Sequence, residues 1–412
     1  MAPPEKQHCD TLDLIRALAA GAVCLSHLRN LMFVDYKSSV GLGLAGKAFY
    51  FVSNYGHTAV IVFFLLSGYF VGGSVLRQVG TGTWSWQRYL TERLSRLWVV
   101  LVPALLLTLF WDRLGIHLAG GPFYLGTEGT FDQQINVASH LGPATLACNL
   151  VFLQTLACGT YGSNGPLWSL ANEFWYYLWF PACVVLLGRR RGVGGYAIAA
   201  FALGTMIAFP SLQSGFGLWL LGVLLAVLEK RSPARVKRRA LPWLTLVSGM
   251  VFLAALVCTR LFLLDNDWIV GVPCFVFLRC VLLENVRLRL PVLSRAAILF
   301  SRFSYSLYLT HFPFILFVAA VGFRQRIPFD AKGVLVLTGM LIACYVYAFA
   351  VYLLFERNTR RVQQRMWRLQ SGHTAPDTTA AQCASARHDY VIWRSPRLIQ
   401  SASADRPESG NP

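Results

Sequence analysis

The sequence predicts an all-α membrane protein, a polytopic bundle of about ten transmembrane helices with the N-terminus and the C-terminus both cytoplasmic. Three observations predict it. Of 412 residues, 55% are hydrophobic and only 14% charged, a balance that excludes an ordinary soluble globule. Apolar runs recur from about residue 12 to about residue 355, many near the roughly 20 residues that a spanning helix needs. The basic residues cluster in alternate loops. The alternating ten-residue pattern of a transmembrane barrel is absent.

The expected spans are centred on residues 12–28, 48–71, 94–111, 167–187, 193–210, 215–229, 242–263, 268–283, 297–321 and 333–355. With the N-terminus inside, Arg77, Arg88, Arg93, Arg96, Arg189 to Arg191, Lys230 to Arg239, Arg287, Arg289, Arg295 and the Arg357 to Arg368 cluster all fall on the cytoplasmic side. The opposite loops carry only scattered Arg29, Lys37, Arg113, Arg324, Arg326 and Lys332. The length of segment 141–158 suits a re-entrant or interfacial helix as well as a span. As a full crossing it would put Arg189 to Arg191 outside, so it is assigned to the outer face.

The net charge of +18 is spread between helices rather than along one face, which argues against nucleic-acid binding. Ten cysteines are dispersed without CxxC or Cys/His spacing, so no metal site is expected and they read as small packing residues. Ala17-Leu18-Ala19 resembles a signal-peptide cleavage site, but Asp10, Asp13 and Arg16 interrupt the apolar region such a peptide requires. The long outer stretch 112–166, with His117, Glu128, Asp132 and His140, is a rim for a polar substrate or a plainly solvated loop. Residues 1–370 form one transmembrane domain in this reading, and 371–412 a disordered cytoplasmic tail. No internal repeat marks a transporter built from duplicated halves.

Ionisable groups within a span cost about 2.5 to 3.5 kcal/mol each on insertion scales, which makes them functional candidates. Arg16 and His27 lie eleven residues apart, on one helix face and about 16 Å apart along the axis. A snorkelling arginine and a hydrogen-bonded histidine would give the same pattern. Phe63 to Phe70 contains a Ser67-Gly68 pair that permits close backbone approach, with Tyr69 beside it. Arg93 and Arg96 share a face and suit phosphate, although a pair placed only by the positive-inside rule would look the same. Asn164 to Tyr177 opens a helix with polar and aromatic residues, among them Trp168, Ser169 and Glu173. The bland reading of Glu173 is a first-turn partner of the helix dipole. Ser304 to Pro313 places Tyr308, His311 and several hydroxyls in the ninth span.

These elements together resemble the acyltransferase-3 family of membrane acyltransferases, which includes bacterial O-antigen acetylases and nodulation-factor acetylases. The resemblance covers most of residues 10 to 357. It rests on Arg16 with His27, FFLLSGY (Phe63 to Tyr69), RLSR (Arg93, Arg96), WSLxxE (Trp168 to Glu173) and SYSLYLTHFP (Ser304 to Pro313), in the family's order. Members often close the last helix with Phe-Glu-x-Pro, whereas here Asn358 follows Phe355-Glu356-Arg357. The esterase-like periplasmic domain that some members append is not expected.

The resemblance implies acyl transfer from cytoplasmic acetyl-CoA or another acyl-CoA to a hydroxyl, commonly of a saccharide acceptor, at the outer side of the inner membrane. Arg93 and Arg96, with Ser67, Gly68 and Tyr69, are then expected to bind the donor. His27 is the expected general base, or alternatively an acyl carrier, and Arg16 holds donor phosphate or orients the site. Glu173 joins them as a catalytic candidate, and Asn164, Trp168, Ser169, Tyr308 and His311 are expected around the acceptor. A carrier or flippase for a lipid-linked saccharide would use the same buried polar groups as a path.

Overall fold

A computed structural model describes residues 10–39, 41–120, 122–125, 136–186, 193–232, 243–286, 288 and 290–370. Arg189 to Arg191, the 235–239 basic run, Glu128, Asp132, Arg287, Arg289 and the 371–412 tail lie outside the described residues. The fold is all-helical, and among the described residues only isolated β-bridges occur.

Helix α1 spans Asp10–Met32, with Asp10 and Asp13 in its first turn, where an N-terminus favours acids. A short helix α2 (Leu44–Val52) turns at Ser53 into α3 (Gly56–Ser67). A π-turn over Gly68–Gly72 carries α3 into α4 (Gly73–Gly80). Ser85 caps the 34-residue α5 (Trp86–Ala119) by accepting the Arg88 N–H. At 1.5 Å per residue α5 is about 51 Å long and exceeds the roughly 30 Å hydrocarbon layer. A single turn α6 (Pro122–Leu125) and the eight-residue α7 (Pro143–Leu150) follow. Next come α8 (Leu167–Leu186), α9 (Val193–Ala208), α10 (Gln213–Arg231), α11 (Trp243–Leu261) and α12 (Trp268–Glu284). The chain ends its described part with α13 (Pro291–Arg302), α14 (Ser304–Val318), α15 (Ala331–Leu354) and α16 (Thr359–Gln370).

Among the described residues, seven helices or near-continuous helical runs are long and apolar enough to cross a membrane. The remaining expected spans are helical but fall short of that measure. α9 and α12 have 16 and 17 residues, and α8 carries Asn172, Glu173 and several tyrosines. The span expected over 297–321 is divided. α13 ends at Arg302 and the chain turns at Phe303, where Ser301 donates to Asp13 of α1 at 2.7 Å and Phe303 packs on Tyr345 and Phe349.

Helix α1 packs against α3, α13, α14 and α15. Its Leu12, Ala19 and Val23 enter one apolar cluster, and its Ala20, Cys24, Leu28 and Leu31 enter the other. One helix therefore forms the wall between two cores, with Arg16 and His27 on its inward side. At the far end of the chain, α16 lies along the first turns of α5, through Thr91 with Gln370 at 3.1 Å and the Arg88 guanidinium 5.9 Å from the Trp367 ring.

Segment 141–166 forms a hairpin rather than a crossing. α7 is about 12 Å long, too short to span. Its end reaches Trp98 of α5, whose indole N–H donates to the Leu150 carbonyl at 2.9 Å, and Trp175 of α8 donates to the Phe152 carbonyl at 3.0 Å. Trp175 sits eight residues past the start of α8, so the hairpin tip reaches about 12 Å along that helix. Irregular backbone is tolerated at such depth only when enclosed by protein. Here Asn149 supplies the enclosure, donating to the Thr145 and Gly159 carbonyls and accepting the Tyr161 N–H. Cys148 and Cys158 form a disulfide across the hairpin, which corrects the expectation that Cys148 is a packing residue.

Candidate functional site

Helix α1 supplies the two ends of the site. Arg16 stands with its guanidinium 5.1 Å from the Phe70 ring centroid, within electrostatic reach of Asp13, Arg96, Glu173 and Tyr177. Eleven residues on, the half-buried His27 ring lies 5.3 Å from the ring of His311 and 5.0 Å from the edge-on ring of Phe312, both on α14. Because α1 is unbroken between them, the two groups keep the shared face and axial spacing set by the helix.

Around Arg16 the helices meet through hydroxyls and carboxylates. Ser67 donates to Glu173 Oε1 at 2.7 Å, Tyr177 donates to the same oxygen, and Trp219 Nε1 donates to Ser67 Oγ at 3.2 Å. Glu173 lies beyond the first turn of α8 and is held across helices, which replaces the dipole reading with specific partners. Gly68 makes this assembly possible. A Cβ there would lie 2.0 Å from the Trp219 carbonyl oxygen, and one on Gly222 would lie 2.0 Å from that of Leu65. Two helices thus cross backbone to backbone, as small residues permit in membranes. The π-turn that begins at Gly68 swings Tyr69 towards α10, where its hydroxyl donates to Glu229 Oε2 at 2.6 Å.

The RLSR turn of α5 faces the same region. Arg93 sits 5.6 Å from the ring of Tyr89, whose hydroxyl donates to the Tyr177 carbonyl at 2.9 Å. Arg96 is within electrostatic reach of Arg16, Tyr305 and Glu356. Glu356 accepts the Ser306 N–H at 3.2 Å and the Ser306 hydroxyl at 2.6 Å. The start of α1, the start of α5 and the end of α15 therefore share one end of the bundle, where three arginines are interleaved with Asp13, Glu173 and Glu356. Convergent guanidiniums of this kind suit phosphate groups, and the interleaved acids offset their mutual repulsion.

The other end holds the remaining expected residues. Asn164 is fully buried and donates through Nδ2 to Thr108 Oγ1 at 3.1 Å and to the Leu309 carbonyl at 2.9 Å, so it pins the hairpin exit to α5 and α14. Asp112 does the same nearby, accepting the Ser163 N–H and hydroxyl at 2.8 and 2.7 Å. Ser169 and Tyr308 share a hydrogen bond of 2.5 Å. Trp168 stacks on His57 with ring centroids 5.7 Å apart, and His57 Nε2 lies 2.9 Å from Asp267 Oδ1. The ring of His311 is 6.4 Å from that of Tyr308.

Arg16, Ser67, Arg96 and Glu173 thus gather near the start of α1 and His27 meets His311 further along it, while Asn164 and Ser169 sit on the hairpin exit and α8, bonded to Leu309 and Tyr308 of α14. Sequence reasoning missed the Ser306–Glu356 and Tyr69–Glu229 links, which join segments far apart in the chain, and the His57–Asp267 pair. It also missed the disulfide. The ten-residue spacing of Cys148 and Cys158 within one outer segment was the available signal.

Comparison with known proteins adds two findings. The family described as an acyltransferase domain matches residues 10–354. Nodulation protein 10 of Rhizobium leguminosarum bv. viciae is 25% identical over 256 residues, which is 58% of this chain and 65% of that relative. The chain thus aligns with about two thirds of the relative's length, slightly less than that fraction. No solved structure matches the chain.

Proposed function

Since the chain belongs to the acyltransferase domain family, we propose that it moves an acyl group, acetyl in the simplest case, from acyl-CoA to a hydroxyl of a saccharide across a bacterial inner membrane. The observation that supports this reading best is one continuous helix joining an arginine cluster at Arg16 to a histidine at His27. The donor enters from the cytoplasm, in a ten-span arrangement with both termini inside. Its phosphates rest on Arg93, Arg96 and Arg16, and Ser67, Gly68 and Tyr69 line its path.

The thioester carbonyl then stands near His27. As the acceptor hydroxyl attacks that carbon, its proton passes to the His27 imidazole and the carbon–sulfur bond breaks. The proton leaves on the thiolate as free CoA, so His27 is restored each turnover. Glu173, fixed by Ser67 and Tyr177, holds Arg16 in place. The acceptor lies between the hairpin and Trp168, Ser169 and Tyr308, with Asn164 holding that wall in position.

The test measures transfer of radiolabel from acetyl-CoA to membrane saccharides in vesicles carrying His27→Ala or Arg16→Ala. Each substitution is expected to abolish or sharply reduce transfer. Full retained transfer by either protein refutes the role assigned to that residue. Movement of a saccharide without donor consumption would favour a carrier instead.

A further inference from the structure

Two imidazoles meet in the apolar interior where one base would suffice. His311 is 1% exposed, and its ring stands 5.3 Å from that of His27 with the planes inclined by 36°. Its Nδ1 lies 2.7 Å from the Leu307 carbonyl oxygen. A carbonyl has no proton to give, so Nδ1 carries the hydrogen, and in the neutral ring Nε2 then presents a bare lone pair. That Nε2 is buried and has no hydrogen-bond partner. Burying a bare acceptor opposes folding, so such an atom is a reason to look for a ligand or a reaction step that uses it.

The reaction creates such a need. When His27 takes a hydroxyl proton it becomes an imidazolium, and both of its ring nitrogens then carry hydrogen. Two groups that can carry charge bear on it. Arg29, on its own helix, is positive and donates to Asn54 Oδ1 at 3.1 Å, and from the facing helix comes His311. A base usually relies on a carboxylate to orient its ring and share its charge, and here a neutral imidazole stands in that position.

We propose that His311 is a positioning residue for acyl transfer, its bare Nε2 receiving the N–H of His27 and thereby turning the other His27 nitrogen, unprotonated, towards the acceptor hydroxyl. This rests on the acyl-transfer reading above. The bond is not made in the resting arrangement, but ring centroids 5.3 Å apart bring it within reach once the rings turn so that the two nitrogens face each other. No bond to His311 forms or breaks, and the transferred proton stays on His27 until the thiolate takes it. His311 thus holds the base and does not contact the acceptor.

The experiment compares His311→Gln, which keeps an acceptor at the end of a side chain of similar reach, with His311→Met, which fills the space and offers no comparable acceptor. Full-length proteins are assayed in vesicles with radiolabelled acetyl-CoA over a range of pH, after folding is checked by thermal unfolding in detergent. The Met variant should lose about a hundredfold in kcat, the lower range of what a positioned base contributes, with the KM for acetyl-CoA unchanged. Its acid limb should move to lower pH, because an imidazolium without its acceptor gives up its proton more readily. The Gln variant should recover most of the loss. Wild-type kcat and pH profile in His311→Met, or equal losses in both variants, would overturn the proposal. A second arm follows carbethoxylation of His27 by mass spectrometry in the same proteins, with slower modification expected in the Met variant and equal rates counting against it. If wild-type protein transfers no acyl group, the proposed function fails, while this second arm still decides whether His311 orients His27.

Discussion

Ser306, in the first turn of α14, gives both its backbone N–H and its hydroxyl to one oxygen of Glu356, fifty positions later at the end of α15. The pair closes the bundle beside Arg96 and Arg16. A hydrogen bond contributes about 0.5 to 1.5 kcal/mol and leaving its donors unmet costs more, so Glu356→Ala should lower the thermal midpoint in detergent clearly. Ser306→Ala, which removes one of the two bonds, should cost less. In the double variant the effects should be non-additive by at least about 0.5 kcal/mol.

Gly68 and Gly222 set the closest helix crossing around the site. Alanine at either position should force α3 and α10 apart and reduce the yield of folded protein, since its methyl carbon would stand 2.0 Å from a facing carbonyl oxygen. Gly339→Ala is the control. It lies within α15 with nothing within 4 Å of the added carbon, and should be neutral or stabilise by up to about 1 kcal/mol. Melting curves of the three proteins decide between these outcomes.

The Cys148–Cys158 bridge closes a short loop within the hairpin. Chain-entropy reasoning assigns a loop of this size about 3 kcal/mol, so Cys148→Ser or Cys158→Ser should lower the unfolding midpoint, and reductant should have the same effect on wild type only. After reduction in right-side-out vesicles, a membrane-impermeant maleimide should label these two thiols. Labelling only in inverted vesicles would reverse the proposed orientation.

Arg93 and Arg96 should act on donor binding. Alanine at either is expected to raise the KM for acetyl-CoA about tenfold or more while changing kcat less. Lysine at Arg96 should restore little, because an ammonium cannot reproduce the planar, two-pronged donation of a guanidinium. Unchanged KM in both alanine variants would remove these residues from the donor site.

The parts of this protein that were legible in the sequence are those set by local periodicity. Arg16 and His27 share a face because eleven residues bring a helix back almost to the same angle, and neither needs a partner to reveal it. The segment near residue 150 was ambiguous by length, and only the arginines at 189–191 argued from the sequence that it does not cross. Glu173 gave no hint of Ser67, which lies 106 positions away and is brought close only by packing, whereas Tyr177, four residues on along α8, was within reach of helical spacing. The break at Phe303 did leave a signal, since Ser301, Arg302 and Ser304 interrupt the apolar run there, but three polar residues do not by themselves announce a change of direction that buried aromatic rings stabilise.

The rigidity of α1 bears on which donors the site could accept. An unbroken helix gripped on both flanks by separate hydrophobic clusters works as a gauge, because bending it would require unpacking two cores together. Under the proposed chemistry, a thioester whose tether falls short of the roughly 16 Å between the two marks would stay anchored but unreactive. Selection by tether length would then need no dedicated recognition of the acyl group itself.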